Sequence, residues 1–185
     1  MGGWQVVVTD GHAVLPEGMT PMLDRAFRNR TSLVSVACPS SLTSIGDGAF
    51  FGCSSLVSID LPAGLTSMGN YAFHGCSSLT TVTFPATLTS IGMQAFYRCS
   101  ALTSVTFPAG LASIGDSAFQ DCSALSSVTF PAGLTSIGSC AFWGCSALTT
   151  IVLPLPDGLS IGDRAFVDCP LDDEAKAAVL SLIHI

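Results

Sequence analysis

The residues of this 185-residue chain most able to do chemistry are its eight cysteines. Thiolates bind zinc, attack electrophiles or pair as disulfides, and each role asks for a particular spacing. Zinc sites draw ligands from pairs two to four residues apart, and only Cys140 and Cys145 approach that pattern. Cys53, Cys76, Cys99, Cys122 and Cys145 instead recur every 23 residues, and Cys169 follows after 24. That period places one thiol at one position of successive structural units. Stacked side chains running in parallel have poor disulfide geometry. The expectation is therefore a cysteine ladder of free thiols, each a small buried hydrophobe with a weak S–H donor close to the turn backbone of a neighbouring coil. No metal site is expected.

The other chemical candidates resolve the same way. His12, His74 and His184 fall in unlike positions, the last beside the C-terminus, and read as surface residues with no cluster of ligands around them. Ser54, Ser77, Ser100, Ser123 and Ser146 sit at one repeated turn position, where a hydroxyl satisfies local backbone groups. No Gly-x-Ser-x-Gly motif and no placed base accompany them. Gly46, Gly69, Gly92, Gly115, Gly138 and Gly162 read as turn residues and not as a phosphate cradle. The chain is read as no enzyme, with no catalytic residue and no cofactor.

The elements that would position these residues come from one repeat. Ala-Phe recurs at Phe27, Phe50, Phe73, Phe96, Phe119, Phe142 and Phe166, in steps of 23 residues with a last step of 24. The segment Leu111 to Gly133 is a nearly perfect copy of the unit. In Ser104-Val105-Thr106-Phe107-Pro108, apolar residues alternate with hydroxyls, so a short strand with one buried face is expected, ended by a proline that lacks a donor. Leu111 and Ile114 point inward from a second extended piece. Asp116 to Cys122 reads as a single helical turn, with Ala118 and Cys122 on one face. A lone unit cannot bury its apolar face, but stacked copies can. The expected fold class is an α/β repeat solenoid with short parallel strands and one helical turn per coil. Seven coils at ~4.8 Å make a core roughly 34 Å long. Residues 1–18, with Trp4, Val6 and Val8, are expected to cap the N-terminal end, residues 19–169 to form the repeats, and residues 170–185 to close the C-terminal end with a helix begun at Asp172-Asp173-Glu174. Leu153-Pro154-Leu155-Pro156 breaks the register just before it.

The motifs L-x-x-I-G-x-x-A-F-x-x-C and L-x-x-V-x-F-P resemble the BspA-like, treponemal-type leucine-rich repeats, over about Pro16 to Cys169. The resemblance implies a leucine-rich-repeat solenoid, a place at the cell surface or in secretion, and a role in cell adhesion and protein binding. The N-terminus, Met1 to Asp10, has neither the basic start nor the long apolar stretch of a signal peptide, and Val6 stands where an N-myristoylation motif at Gly2 would want Ser or Thr. The localisation therefore stays open.

Composition narrows the partners. Only 10% of residues are charged, the formal charge is −7, and Arg98 is the single Lys or Arg between Thr31 and Ile161. A groove that tracks phosphates needs clustered Lys and Arg, so nucleic acid is not an expected partner. No apolar run reaches the ~18–20 residues that span a bilayer, so no membrane insertion is expected.

Two repeated surfaces remain as candidates. One is a field of hydroxyls on the outer face of the main sheet: Thr81, Thr83, Ser104, Thr106, Ser127 and Thr129, interrupted by Asp60 and Val152. Such rows suit a structural or ice-interacting solenoid, though Thr is also simply a good exposed strand residue. The other is a pair of columns around Ala-Phe where the copies disagree. The residue after Phe runs Arg28, Phe51, His74, Tyr97, Gln120, Trp143 and Val167. Two places before Phe the run is Arg25, Gly48, Tyr71, Gln94, Ser117, Cys140 and Arg164. Positions that packing does not fix are expected to be exposed. The leading expectation is a non-enzymatic recognition module that binds protein or glycan through Phe51, Tyr71, His74, Tyr97, Gln120 and Trp143. The alternative is that these rings partly cover neighbouring coils and serve stability.

Overall fold

The computed structural model describes residues 6–152 and 154–183. The expectations for Gly2, Trp4, Leu153 and His184 lie outside the described residues. Each coil contributes a three-residue strand and a two-residue strand. The first kind comprises β2 (His12–Val14), β4 (Ser35–Ala37), β6 (Ser58–Asp60), β8 (Thr81–Thr83), β10 (Ser104–Thr106), β12 (Ser127–Thr129) and β14 (Thr150–Val152). The second comprises β3 (Pro21–Met22), β5 (Ser44–Ile45), β7 (Ser67–Met68), β9 (Ser90–Ile91), β11 (Ser113–Ile114), β13 (Ser136–Ile137) and β15 (Ser160–Ile161). Both kinds pair in parallel with the neighbouring coil, and the register follows the sequence period: Val105 lies opposite Val82, and Ile114 opposite Ile91 and Ile137. The central residue of each three-residue strand from β6 to β14 is buried and its neighbours are exposed, the alternation expected for a sheet with one wet face.

The ends are built differently. At the N-terminal end β1 (Val7–Thr9) folds back antiparallel on β2 around Asp10-Gly11, with positive φ at both turn residues. At the other end α1 (Asp173–Ile183) lies against β14 and β15, burying Ala175 and Val179. Asp172 Oδ1 accepts the amide of Ala175 at 2.8 Å, an N-cap that satisfies one free donor of the helix start.

The core is one continuous column. Phe27 through Phe166 stack ring on ring at 5.0–5.3 Å, and Phe84, Phe107 and Phe130 meet Phe96, Phe119 and Phe142 edge-on at 5.6–5.8 Å. Cys53, Cys76, Cys99, Cys122 and Cys145 are fully buried. Each of the six period-matched thiols donates to the carbonyl of the Phe in the preceding coil, at 3.0–3.2 Å. That carbonyl lies 26 or 27 residues back in sequence, so the contact exists only because coils stack.

One local expectation is corrected. The segment read as a helical turn, Asp116 to Cys122, is a run of β-turns. Alternate amides bond within the coil, as Ala118 to Gly115 and Gln120 to Ser117, and the intervening ones bond to the next coil: Ser117 to Ser139, Phe119 to Ala141 and Asp121 to Trp143, at 2.7–2.9 Å. Ser117 and Asp121 take φ of 53° and 60°, which flips every second peptide toward the neighbouring coil. A helix would turn all its amides back on itself; here the neighbour supplies better acceptors.

Candidate functional site

The turn side of the solenoid carries the columns of disagreement. Its backbone is held by a ladder the sequence reading missed. Asp24 Oδ1 accepts the amide of Asp47, Asp47 Oδ1 that of Asn70, Asn70 Oδ1 that of Met93, and Asp116 Oδ1 that of Ser139, at 2.7–2.9 Å. These side chains are therefore engaged with backbone. The recurrence of Asp or Asn just after the repeated Gly was the available signal.

On this scaffold two positions per coil require left-handed φ. The first holds Arg25, Gly48, Tyr71, Gln94, Ser117, Cys140 and Arg164; the second holds Asn29, Gly52, Gly75, Arg98, Asp121, Gly144 and Asp168. Glycine adopts this region without cost, whereas an L-residue is strained by roughly 1–2 kcal/mol. Tyr71, Gln94, Arg98, Cys140 and Arg164 occupy it with bulky side chains. The mixture of Gly, Asn and Asp in the second column was a legible sign of this conformation.

Between those two positions runs the column after Phe. Phe51 and His74 stack at 4.4 Å with their planes 9° apart, and His74 and Tyr97 stack at 4.7 Å and 20°. Tyr71 tilts against His74 at 6.2 Å across a β-turn. The stack is closed at both ends by guanidinium groups: Arg28 lies 4.4 Å over Phe51, and Arg98 5.1 Å over Tyr97 while reaching Asp121 at 3.6 Å. Gln120 interrupts the aromatic row, and beyond it Trp143 Nε1 donates to Asp168 at 2.8 Å. Phe51, Tyr71, His74, Tyr97, Gln120 and Trp143 are all half-buried. The stack thus buries ring faces against neighbouring coils and leaves ring edges and polar tips outward. Burial holds the His74 imidazole below its ordinary range, and the charges of Arg98 and Arg28 push the same way, so it is neutral at pH 7.

Arg25, Arg28, Arg98 and Arg164 lie on this turn side, together with Asp24, Asp47, Asp116, Asp121, Asp163 and Asp168, so charges of both signs are interspersed there. The hydroxyl field occupies a different face. Thr81, Thr83, Ser104, Thr106, Ser127 and Thr129 are exposed, and Ser104 lies opposite Thr81 and Thr106 opposite Thr83. Val152 interrupts the row opposite Thr129. Among the described residues no group of three His, Cys, Asp or Glu side chains is placed to hold a metal ion, and no helix is long and apolar enough to cross a membrane.

A comparison with curated protein sequences gives no match. Among solved structures, the T. pallidum leucine-rich repeat protein TpLRR is 35% identical, covers 98% of this chain and 94% of its own, and superposes with a TM-score of 0.90. A leucine-rich repeat protein from Bacteroides ovatus is 31% identical over 87% of this chain and 42% of its own, with a TM-score of 0.82. A leucine-rich cell surface protein from Faecalibacterium prausnitzii is 28% identical over 82% of this chain and 53% of its own, with a TM-score of 0.66. The family model of the BspA-type leucine-rich repeat region matches six copies, over residues 12–92 and 68–175. With repeat spacing, coil geometry and family model in agreement, the chain belongs to the BspA-type leucine-rich repeat family.

Proposed function

We propose that this protein is a non-enzymatic recognition module that binds a protein partner through its turn side, in cell-surface adhesion. The observation that carries this reading is the half-buried row from Arg28 through Phe51, His74 and Tyr97 to Trp143, flanked by bulky side chains at Tyr71, Gln94, Cys140 and Arg164 in strained backbone. Strain retained where glycine would relieve it marks positions kept for something other than folding. Aromatic residues and arginine are also the side chains that most often dominate the affinity of an interface. A glycan is less well served, because stacking on sugar rings needs open aromatic faces, and those of Phe51, His74 and Tyr97 lie against each other and against arginine. The similarity to a leucine-rich cell surface protein supports the location.

The Tyr97→Ala, Trp143→Ala double variant tests it. Proteins captured from a cell-surface extract by the intact chain should be lost with this variant and kept with a Thr83→Lys, Thr106→Lys control on the sheet face. Each hot spot should cost at least ~2 kcal/mol of binding. A large fall in melting temperature with capture intact would assign the row to stability alone. A thermal-hysteresis measurement addresses the hydroxyl field: activity there would favour the ice-interacting alternative.

A further inference from the structure

His74 is the middle layer of the turn-side stack, with Phe51 centred 4.4 Å from it on one side and Tyr97 4.7 Å from it on the other. Arg28, one coil earlier, lies over Phe51, and Arg98, which reaches on to Asp121 of the next coil, lies over Tyr97. In the column that follows Phe, His74 is the only side chain whose ordinary titration falls between about pH 5 and 8. Its backbone is pinned on both sides of the residue. The His74 amide donates to the Tyr71 carbonyl at 3.1 Å, and its own carbonyl accepts the Gly52 amide at 2.7 Å. Only the side chain is therefore free to leave the stack.

The surroundings offer a proton on this ring no counter-charge. Tyr71 faces it from its own coil, Phe51 from the coil before and Tyr97 from the coil after, and the charges that reach it are those of Arg98 and Arg28, both positive. The acidic side chains of neighbouring coils are engaged elsewhere: Asp47 accepts the Asn70 amide at 2.7 Å, and Asp121 is paired with Arg98 at 3.6 Å. An imidazolium between two rings would gain cation–π attraction, but each ring already carries a guanidinium. With its faces covered, the charged ring also gives up water. Desolvation is the larger cost, because Arg98 is 66% exposed and its repulsion is screened.

We propose that the row is an acid-sensitive switch: neutral His74 closes the stack, and a protonated His74 swings out to water, parting Phe51 from Tyr97 and breaking the binding surface. The movement belongs to the free chain, and only its consequence for a partner rests on the function proposed above. Burial lowers the proton affinity of the native imidazole, so between the two midpoints the folded chain holds fewer protons than the unfolded one. The closed stack is therefore complete at neutral pH and weakens as pH falls below the ordinary histidine range.

The test is proton NMR of the full chain without any partner, titrated from about pH 8 to about pH 4.5. Ring protons of His74 should show cross-peaks to Phe51 and Tyr97 at neutral pH and lose them as His74 titrates. The midpoint should lie below that of the same histidine in the urea-unfolded chain, and the Arg28→Gln, Arg98→Gln double variant should move it upward. His74→Phe fills the layer with a ring that takes no proton, so its contacts to Phe51 and Tyr97 should persist over the whole range. Cross-peaks that survive full protonation of His74 would overturn the proposal, as would a midpoint at or above the unfolded one. Opening of the His74→Phe stack at the same pH would overturn it too, by assigning the change to carboxylates. None of these readings depends on whether the row binds a partner, so the switch and the function proposed above fail separately.

Discussion

Replacing Gly115 by alanine should destabilise the protein by about 3 kcal/mol, although alanine is the better residue in most backbone settings. Gly115 lies outside the left-handed region, so the reason is proximity and not conformation. A Cβ there would sit 2.7 Å from the Gly92 carbonyl carbon and the Met93 amide nitrogen, both backbone of the preceding coil and unable to swing aside. Ordinary contact begins at 3.4 Å, so the coils must part by 0.7 Å, the difference of 3.4 and 2.7. Gly115 donates to Ile91 at 2.9 Å, Gln94 to Asp116 at 2.9 Å and Phe96 to Ala118 at 2.8 Å. Each would stretch to about 3.5 Å, where a hydrogen bond is effectively lost. Two or three such bonds at roughly 1 kcal/mol each, plus 1–3 kcal/mol for overpacking, outweigh the 0.4–1 kcal/mol gained by stiffening the unfolded chain. For a chain of this size the melting temperature should fall by about 6–12 °C, read by circular dichroism and checked by urea unfolding. Gly110→Ala is the control: its Cβ would meet only the Ala86 carbonyl oxygen, at 3.4 Å, and the change should stay within ~0.5 kcal/mol. Equal melting temperatures for the two variants would refute the close-approach argument.

Burial raises Cys53 from 9.0 to about 11 and Cys38 to about 12, with Asp60 adding to the latter, so the unfolded chain gives up these protons first. The stability these groups contribute is complete below pH 9 and lost as pH climbs toward 11–12; melting temperature should be level from pH 6 to 8 and drop above about 9, and a level profile to pH 11 would contradict it. In native protein the half-buried Cys140 should react fastest with a thiol reagent, the protonated Cys38 slowly, and the fully buried thiols only after denaturation; three or four disulfides found by mass spectrometry would refute the free-thiol reading. Ser117→Gly relieves a residue at φ 53° and should raise stability by about 0.5–1 kcal/mol in urea unfolding, whereas a loss would show that the hydroxyl or the unfolded-state entropy governs the site. Deleting Leu171 to Ile185 uncovers the last rung at β14 and β15 and should produce association visible by light scattering; a monomer of unchanged melting temperature would remove the capping role from α1.

The 23-residue period told the solenoid, its inward residues and its parallel register, because each position of a stacked repeat meets the same position of its neighbours and selection for packing is written once per coil. Val105, Phe107, Leu111, Ile114, Ala118 and Cys122 are assigned to the inner face from one unit, and all are buried. The helical turn was misread for a local reason: Ala118 and Cys122 face inward in a helix and in a run of β-turns alike. Only the acceptors on the next coil, the carbonyls of Ser139, Ala141 and Trp143, decide between the two conformations. The same holds for the turn-side row. Its variable residues were visible as disagreements between copies, but Arg28 and Phe51 are 23 residues apart in sequence and 4.4 Å apart in space. Whether a ring offers its face or its edge, and whether Asp116 is a free charge or a backbone acceptor, depends on the coil stacked beside it. Tertiary structure alone decided those questions, because one-dimensional spacing names the neighbours of a repeat without saying how far each peptide plane turns toward them.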